Sequence, residues 1–271
     1  LGIRGDYTRS FDGESLDTNL SPGITDYDDK SFSSFNPKLG LVYEMGDRTV
    51  FRLSGGRSFA APTLFELYTV FSRGPYVLYG NPDLDAETAY SVELGADHWL
   101  TDSLLGRMSV YYTLGHDFIT NRATGTFTDK YDNVNKISAM GLDLDFDYRI
   151  SREWSLFGWY KCNLSEVEED QGNAANEGNR LPFEPDHRAK IGVICRILDP
   201  VVVEAGLRYE GDRYTNLENS HELDEYVTLD VSVSGTVGEH FKWKLAGENL
   251  FDQQYDIYAI PNESDSESPG S

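Results

Sequence analysis

No apolar run in this chain approaches the roughly 20 residues that a membrane-spanning helix requires, so helical membrane proteins are excluded. Positive charge is scarce. Only 23 Lys and Arg stand against 46 Asp and Glu among 271 residues, a net charge of -23. A nucleic-acid partner needs a basic face, which this balance does not supply. Cysteine is limited to Cys162 and Cys195, too few for a disulfide framework, and the redox compartment stays open. The opening Leu1-Gly2-Ile3 shows neither a basic stretch nor an apolar one behind it, so no signal peptide is read. An exported protein would therefore be represented here by a mature form or a piece. The five histidines (98, 116, 187, 221, 240) lack metal-ligand spacing, and no phosphate loop, nucleophile elbow or Cys-x-x-Cys occurs. The expectation is a non-enzyme with no resident metal or cofactor.

What the chain does have is period-two alternation, the mark of strands with two unlike faces. Leu142, Leu144, Phe146, Tyr148 and Ile150 fall on one face of a segment whose other face carries Asp143, Asp145, Asp147 and Arg149. Val227, Leu229, Val231 and Val233 likewise oppose Thr228, Asp230, Ser232 and Ser234. The pattern predicts eleven strands, at about 1–10, 34–44, 49–58, 88–99, 105–114, 139–149, 154–164, 187–197, 201–210, 226–236 and 241–249. Most are close to the roughly 9–11 residues of a tilted bilayer crossing. A mean hydropathy of -0.47 does not oppose this, because a barrel strand shows lipid only every second side chain.

The connectors alternate short and long. Short ones fall at 45–48, 100–104, 150–153, 198–200 and 237–240, and long ones at 11–33, 59–87, 115–138, 165–186, 211–225 and 250–271. A transmembrane barrel has one rim of tight turns and one of extended loops, an asymmetry that a soluble sandwich has no reason to show. Charge sorts the same way. The long connectors hold 30 acidic and 7 basic residues, which is the whole net charge, and the 16 acidic and 16 basic residues elsewhere cancel. Tyr43, Trp99, Tyr148, Trp154, Phe241 and Trp243 lie beside the short turns, where an aromatic girdle at the headgroup level is expected. The fold class predicted is all-β, an antiparallel up-and-down transmembrane barrel, with 1–271 forming part of a larger one.

Three motifs stand in order. Arg57-Ser58-Phe59-Ala60-Ala61-Pro62-Thr63-Leu64-Phe65-Glu66-Leu67-Tyr68 leads from a strand into a long connector. Tyr79-Gly80-Asn81-Pro82-Asp83-Leu84-Asp85-Ala86-Glu87 follows, running into Ser91-Val92-Glu93-Leu94-Gly95. Glu248-Asn249-Leu250-Phe251-Asp252-Gln253-Gln254-Tyr255 comes near the end. Together, over roughly residues 35–270, they resemble the C-terminal barrel portion of TonB-dependent receptors. Physically, Pro82 biases Asn81 toward extended geometry, and Gly80 permits a turn conformation closed to other residues. Leu64, Phe65, Leu67 and Tyr68 suit a short helical turn, and Asn249 and Asp252 can bond local backbone as a strand ends. These are rim-shaping roles first.

The resemblance implies a bacterial outer-membrane location among lipid and lipopolysaccharide. It further implies capture of a scarce metal chelate, such as a ferric siderophore, haem or cobalamin. Uptake would be powered by an inner-membrane complex acting through a plug domain outside these residues. About half of a roughly 22-stranded barrel and a final strand beyond Ser268-Pro269-Gly270-Ser271 are likewise implied. Tyr68, Arg73, Tyr76 and Tyr79 are the candidate ligand contacts, since rings give area at low entropic cost and arginine suits anionic chelates. The acidic runs at 26–29 and 166–170 are read as solvated loops, with calcium as the lesser reading. Asp143, Asp145 and Asp147, spaced about 7 Å apart, are read as a wet wall before a cation site. Cys162 and Cys195 sit at different heights, on the order of 20 Å apart, and are expected to be free thiols facing lipid. Two other classes remain: a passive porin or surface adhesin barrel, and a soluble secreted carbohydrate-active β-sandwich with carboxylates roughly 5 to 10 Å apart.

Overall fold

A computed structural model describes residues 1–16, 24–198 and 200–256. In chain order it contains β1 (Gly2–Ser10), β2 (Gly13–Leu16), β3 (Ile24–Tyr27), β4 (Lys30–Met45) and β5 (Thr49–Ala60). The helix α1 (Leu64–Tyr68) and the hairpin β6 (Val70–Arg73) and β7 (Tyr76–Tyr79) come next. Then follow β8 (Glu87–Thr101), β9 (Leu104–Gly125), β10 (Thr128–Arg149), β11 (Trp154–Glu169), β12 (His187–Leu198) and β13 (Val201–Glu210). The two-residue strands β14 (Arg213–Tyr214) and β15 (Glu222–Leu223) precede β16 (Tyr226–Val237) and β17 (Phe241–Gly247). The main sheet runs β1-β4-β5-β8-β9-β10-β11-β12-β13-β16-β17, each long strand antiparallel to its chain neighbour. These are the eleven strands the alternation predicts.

Register turns the alternation into two faces. Leu144 pairs with Met108 and Tyr160, and Leu142 with Val110 and Cys162, building an apolar face that no second sheet covers among the described residues. Tyr43, Phe241 and Leu245 on this face remain more than 60% exposed. That geometry overturns the β-sandwich alternative, in which this row would meet a facing sheet about 10 Å away. On the other face, charges pair across strands: Arg52 with Asp97 (2.6 Å), Arg107 with Asp147 (2.8 Å) and Lys161 with Asp143 (3.0 Å). Two of the three aspartates in the row, Asp143 and Asp147, are thus held in cross-strand ion pairs. Three rings on these two faces lie flat over glycines of the next strand, Tyr111 over Gly141, Phe146 over Gly158 and Phe157 over Gly192, leaving no room for a Cβ.

Cys162 pairs with His187 and Cys195 with Trp154, so the thiols lie eight residues apart along one strand pair, or roughly 26 Å. Both are free and belong to the apolar face. Five of the six turn-side aromatics share that face. Trp99 does not: it pairs with Leu105, whose other partner is Asp147, because alternation from Leu94 and Ala96 sends position 99 to the charged side.

The segment 115–138 departs from the expected loop. β9 and β10 each run 22 residues and continue as a hairpin to a two-residue turn at Thr126-Phe127. Since a bilayer crossing takes only roughly 9–11 residues, half of this hairpin stands beyond the span. β4 and β11 also outrun their predicted ends, to Lys30 and Glu169. Residues 257–271, including the Ser268–Ser271 end of the predicted tail, lie outside the described residues, as does Asp199 of the 198–200 turn.

The buried apolar residues are Leu67, Leu78, Leu84, Val134, Val167, Leu181, Leu217 and Leu223. Every one lies in a segment predicted as a long connector. Val134, Val167, Leu181 and Leu217 form one cluster, backed by Phe118 and Ile137. The core of this chain stands above its sheet.

If the uncovered face meets hydrocarbon, Leu144→Arg should destabilise the refolded protein by about 2–4 kcal/mol in lipid bilayers, whereas Asp145→Asn, one residue along on the wet face, should cost under about 1 kcal/mol. Equilibrium unfolding in bilayers measures both. Equal costs would refute the assignment of faces.

Candidate functional site

The long connectors assemble on β9 and β10. Thr63 caps α1, its hydroxyl accepting from Glu66 N (3.2 Å) while the Glu66 carboxylate accepts from Thr63 N (2.7 Å), a reciprocal box that starts a helix of only five residues. Leu67 alone of the predicted helical turn is buried. Leu64 and Phe65 face outward, Phe65 edge-on to Tyr131 with centroids 6.2 Å apart, because a single turn buries only one stripe. Pro62 is buried ahead of the cap, and Arg57 donates to Phe35 O and Asn36 Oδ1 (both 3.1 Å) and lies over Tyr90. Phe59 pairs with Thr88.

Gly80 is required for a reason other than the one predicted. Its φ is not left-handed; instead, a Cβ there would lie 2.7 Å from the backbone nitrogens of Tyr68 and Thr69. This close approach lets Gly80 N donate to Thr69 O and Asn81 N to Glu66 O, both at 2.7 Å. Asn81 Oδ1 accepts from Asp83 N (3.1 Å), and Lys30 Nζ donates to Pro82 O (2.8 Å) and Leu84 O. The Glu87 carboxylate accepts from Ile119 N (2.8 Å). The motif is a docking joint between the 59–87 connector and the neighbouring strands. Asn249, at φ +49, bonds Gln253 through both side-chain atoms, Asp252 sits at φ +51, and Tyr255 stacks on Tyr226 at 3.9 Å. Leu250 N donates to Leu229 O (2.8 Å), while the Leu250 and Phe251 side chains face outward.

The four candidate ligand residues do not converge. Tyr68 shares a hydrogen bond with Ser10 Oγ (3.1 Å) and packs against the Tyr27 ring. Arg73 stands exposed at the tip of the β6–β7 hairpin, and Tyr79 is half-buried opposite Val70. Tyr76 donates to Asp129 Oδ2 (2.9 Å), helped by the parallel pairing of β7 with β10. Only Tyr76 reaches the rim cavity.

That cavity has a volume of about 470 Å³. The extended part of β9 and β10 forms one side, with Phe118, Asn121 and Asp129. Phe183 and the segment Thr215–His221 form the other. Phe183 is exposed at φ +62, with its N donating to Tyr214 O (2.7 Å), a conformation that costs a bulky residue about 1–3 kcal/mol and is imposed by its surroundings. A larger recess of about 720 Å³, lined by Met108, Leu144, Phe146, Ile191 and Leu207, opens on the apolar face and is out of reach of a water-borne ligand.

Ion pairs brace the cavity walls. Arg122 forks onto buried Asp170 (2.7 and 2.9 Å) and turns Nε to Asp132 (2.9 Å). Asn176 also donates to Asp170 (2.8 Å). Burial alone would raise the Asp170 carboxyl, but the hydrogen bonds from Arg122 and Asn176 and the Arg122 charge hold it below its ordinary value. Arg180 bridges Asp186 (3.1 Å) and Asp212 (2.9 Å), tying the 165–186 connector to 211–225, and its hydrogen bond holds the Asp212 carboxyl low. Asp29 is taken by Arg9 and Asp170 by Arg122, and among the described residues no three His, Cys, Asp or Glu side chains converge as a metal site. Sequence reasoning missed Arg122 and Phe183. It read 166–170 as a solvated loop, whereas β11 runs to Glu169, and Val167 and Asp170 are fully buried, because the strand continues past the span and Arg122 satisfies the carboxylate. The available signal was the density of Thr, Ile, Tyr and Val in 113–137, which favours strand over loop.

Gly80→Ala should loosen the 59–87 connector, read as faster limited proteolysis there with the barrel intact; unchanged proteolysis would refute the close-approach argument. The depressed Asp170 carboxyl contributes stability above its unfolded value near ~3.9, and that contribution is lost as pH falls through the folded value. Amide-exchange protection of 170–181 should therefore hold from pH 7 to 5 and fall only below about pH 4. Arg122→Ala should remove it at every pH, at about 3–5 kcal/mol.

The profile of a family described as "TonB dependent receptor-like, beta-barrel" matches residues 1–250. The Ferrienterobactin receptor of Escherichia coli K12 is 21% identical over 268 residues, covering 88% of this chain and 35% of the receptor. The solved copper transporter OprC superposes with a TM-score of 0.75 at 15% identity, over 94% of this chain and 40% of its own. The siderophore receptor PiuA of Acinetobacter baumannii gives 0.69 at 19% identity, over 95% of this chain and 37% of its own. The chain thus spans less than half the length of these relatives, and its sheet is part of a bacterial outer-membrane barrel. It belongs to the TonB-dependent receptor β-barrel family.

Proposed function

We propose that this chain supplies the outer-surface capture site and part of the barrel wall of a receptor that takes up a metal chelate, with a siderophore complex as the leading ligand. The observation that carries the reading is the rim cavity of about 470 Å³, held open by ion-paired connectors above a charged wall. Its aromatic and amide lining (Tyr76, Phe118, Asn121, Phe183) offers rigid area and hydrogen bonds to a chelate the size of a drug-like molecule. The names of the relatives support a siderophore more than haem or cobalamin. Energy for release into the periplasm would come from an inner-membrane complex through a plug domain. A passive pore would not need connectors braced this closely.

The test is uptake by cells carrying the full-length receptor as their sole route. Radiolabelled ferric siderophore should accumulate only when the inner-membrane energy supply is intact, and Phe183→Ala with Tyr76→Phe should raise the half-saturating concentration at least about tenfold, or about 1.4 kcal/mol. Energy-independent accumulation would mark a passive pore instead.

A further inference from the structure

We propose that the rim cavity selects neutral or cationic metal complexes and rejects polyanionic ones, an inference that rests on the chelate-receptor reading above. The lining carries two carboxylates, Asp129 and Glu218, together with His221, and not one Lys or Arg. The nearest cations on its β-strand wall are Arg122 and Lys130, which pair with each other across β9 and β10. Period-two geometry turns both to the face opposite Asp129. Arg122 is further neutralised by Asp132 and Asp170, and Arg180, on the other wall, by Asp186 and Asp212. Arg73, the cation expected to greet an anionic chelate, is exposed at a hairpin tip and is not part of the lining.

The surroundings act in the same sense. Among the described residues the long connectors hold 26 acidic residues against 7 basic ones, so the approach to the cavity carries an excess of negative charge. Fields of one sign around a concave site change association rates by roughly 10–10³-fold, and they do so over about 10 Å at 0.1 M salt. A trianionic tris-catecholate ferric complex would meet repulsion on approach and, on arrival, two carboxylates with no Lys or Arg among the lining residues. A hydroxamate complex bearing a free ammonium would be drawn in and could pair with Asp129 or Glu218. Aromatic lining adds to the preference, since a cation gains over a ring face.

The experiment measures association rates on the full-length receptor in native outer-membrane vesicles. The probes are three ferric complexes of similar size: a trianionic tris-catecholate, a neutral tris-hydroxamate and a tris-hydroxamate bearing one free ammonium. At low ionic strength the monocation should associate at least about tenfold faster than the trianion, with the gap closing as salt is added. The double variant Asp129→Asn, Glu218→Gln should slow the monocation and speed the trianion. The wild-type salt dependence decides the matter if that variant does not fold. A trianion that binds fastest, with a rate that falls as salt rises, would overturn the charge inference and leave the receptor reading standing. Failure of all three probes to bind would remove both.

Discussion

Everything in this molecule follows from what hydrocarbon does to a peptide group. With no water to take up an N–H or C=O, each backbone group in the span must pair with a neighbouring strand. The result is the eleven-strand ladder, β1 through β17 along its main path, in which every long strand is bonded to the one before and the one after it in sequence. Pleating then sends alternate side chains to opposite faces. One face must suit lipid, and the other faces water, so within the span no side chain needs a core.

The consequence is an inverted distribution of burial. Leu144, Met140 and Ile191 remain exposed on the sheet, whereas Leu67, Leu84, Val134 and Val167 are sealed within the connectors. Soluble proteins bury their apolar residues between regular elements and leave loops polar. Here the connectors carry the only closely packed cluster among the described residues, because they alone stand in water and can gain by excluding it. Ion pairs and close backbone joints complete what that small core begins. Asp170 is fully enclosed and is tolerable only because Arg122 and Asn176 satisfy it. Lys30, at the root of β4, reaches across to the carbonyls of Pro82 and Leu84. The rim is therefore built as a fold in its own right, with an extended hairpin as its spine.

The function proposed for this chain resides in that rim. Ordered connectors can hold a cavity with fixed polar groups, and a fixed arrangement can discriminate between ligands. The negative charge that composition places on one side becomes, once the connectors close over β9 and β10, a property of a particular concave surface. Phe183, held in a backbone conformation unfavourable to a bulky residue, lies beside it. The strain is located where recognition would use it.

Alternation was sufficient to reveal strand number, order and facing, because inside a bilayer a one-residue slip would turn an entire apolar row toward water. Leu142 to Ile150 read plainly as a strand with one apolar face and one charged face. Turn length, one-sided charge and the aromatic side chains near the tight turns were equally legible, since each reports a local environment. Trp99 escaped because proximity to a turn does not tell which way a side chain points. The continuation of β9 and β10 past the membrane was hidden for a related reason: beyond the span both faces meet water, the apolar period fades, and Phe118 to Val134 reads as loop. Gly80 and Arg122 show the final limit. Sequence could supply a glycine and an arginine, but the demand for them arises from Tyr68, Thr69 and Asp170, brought close only by folding. Composition and period determined the wall. Only tertiary contact decided the site, because its residues come from connectors far apart in the chain, whose positions are set by packing and not by any repeating pattern.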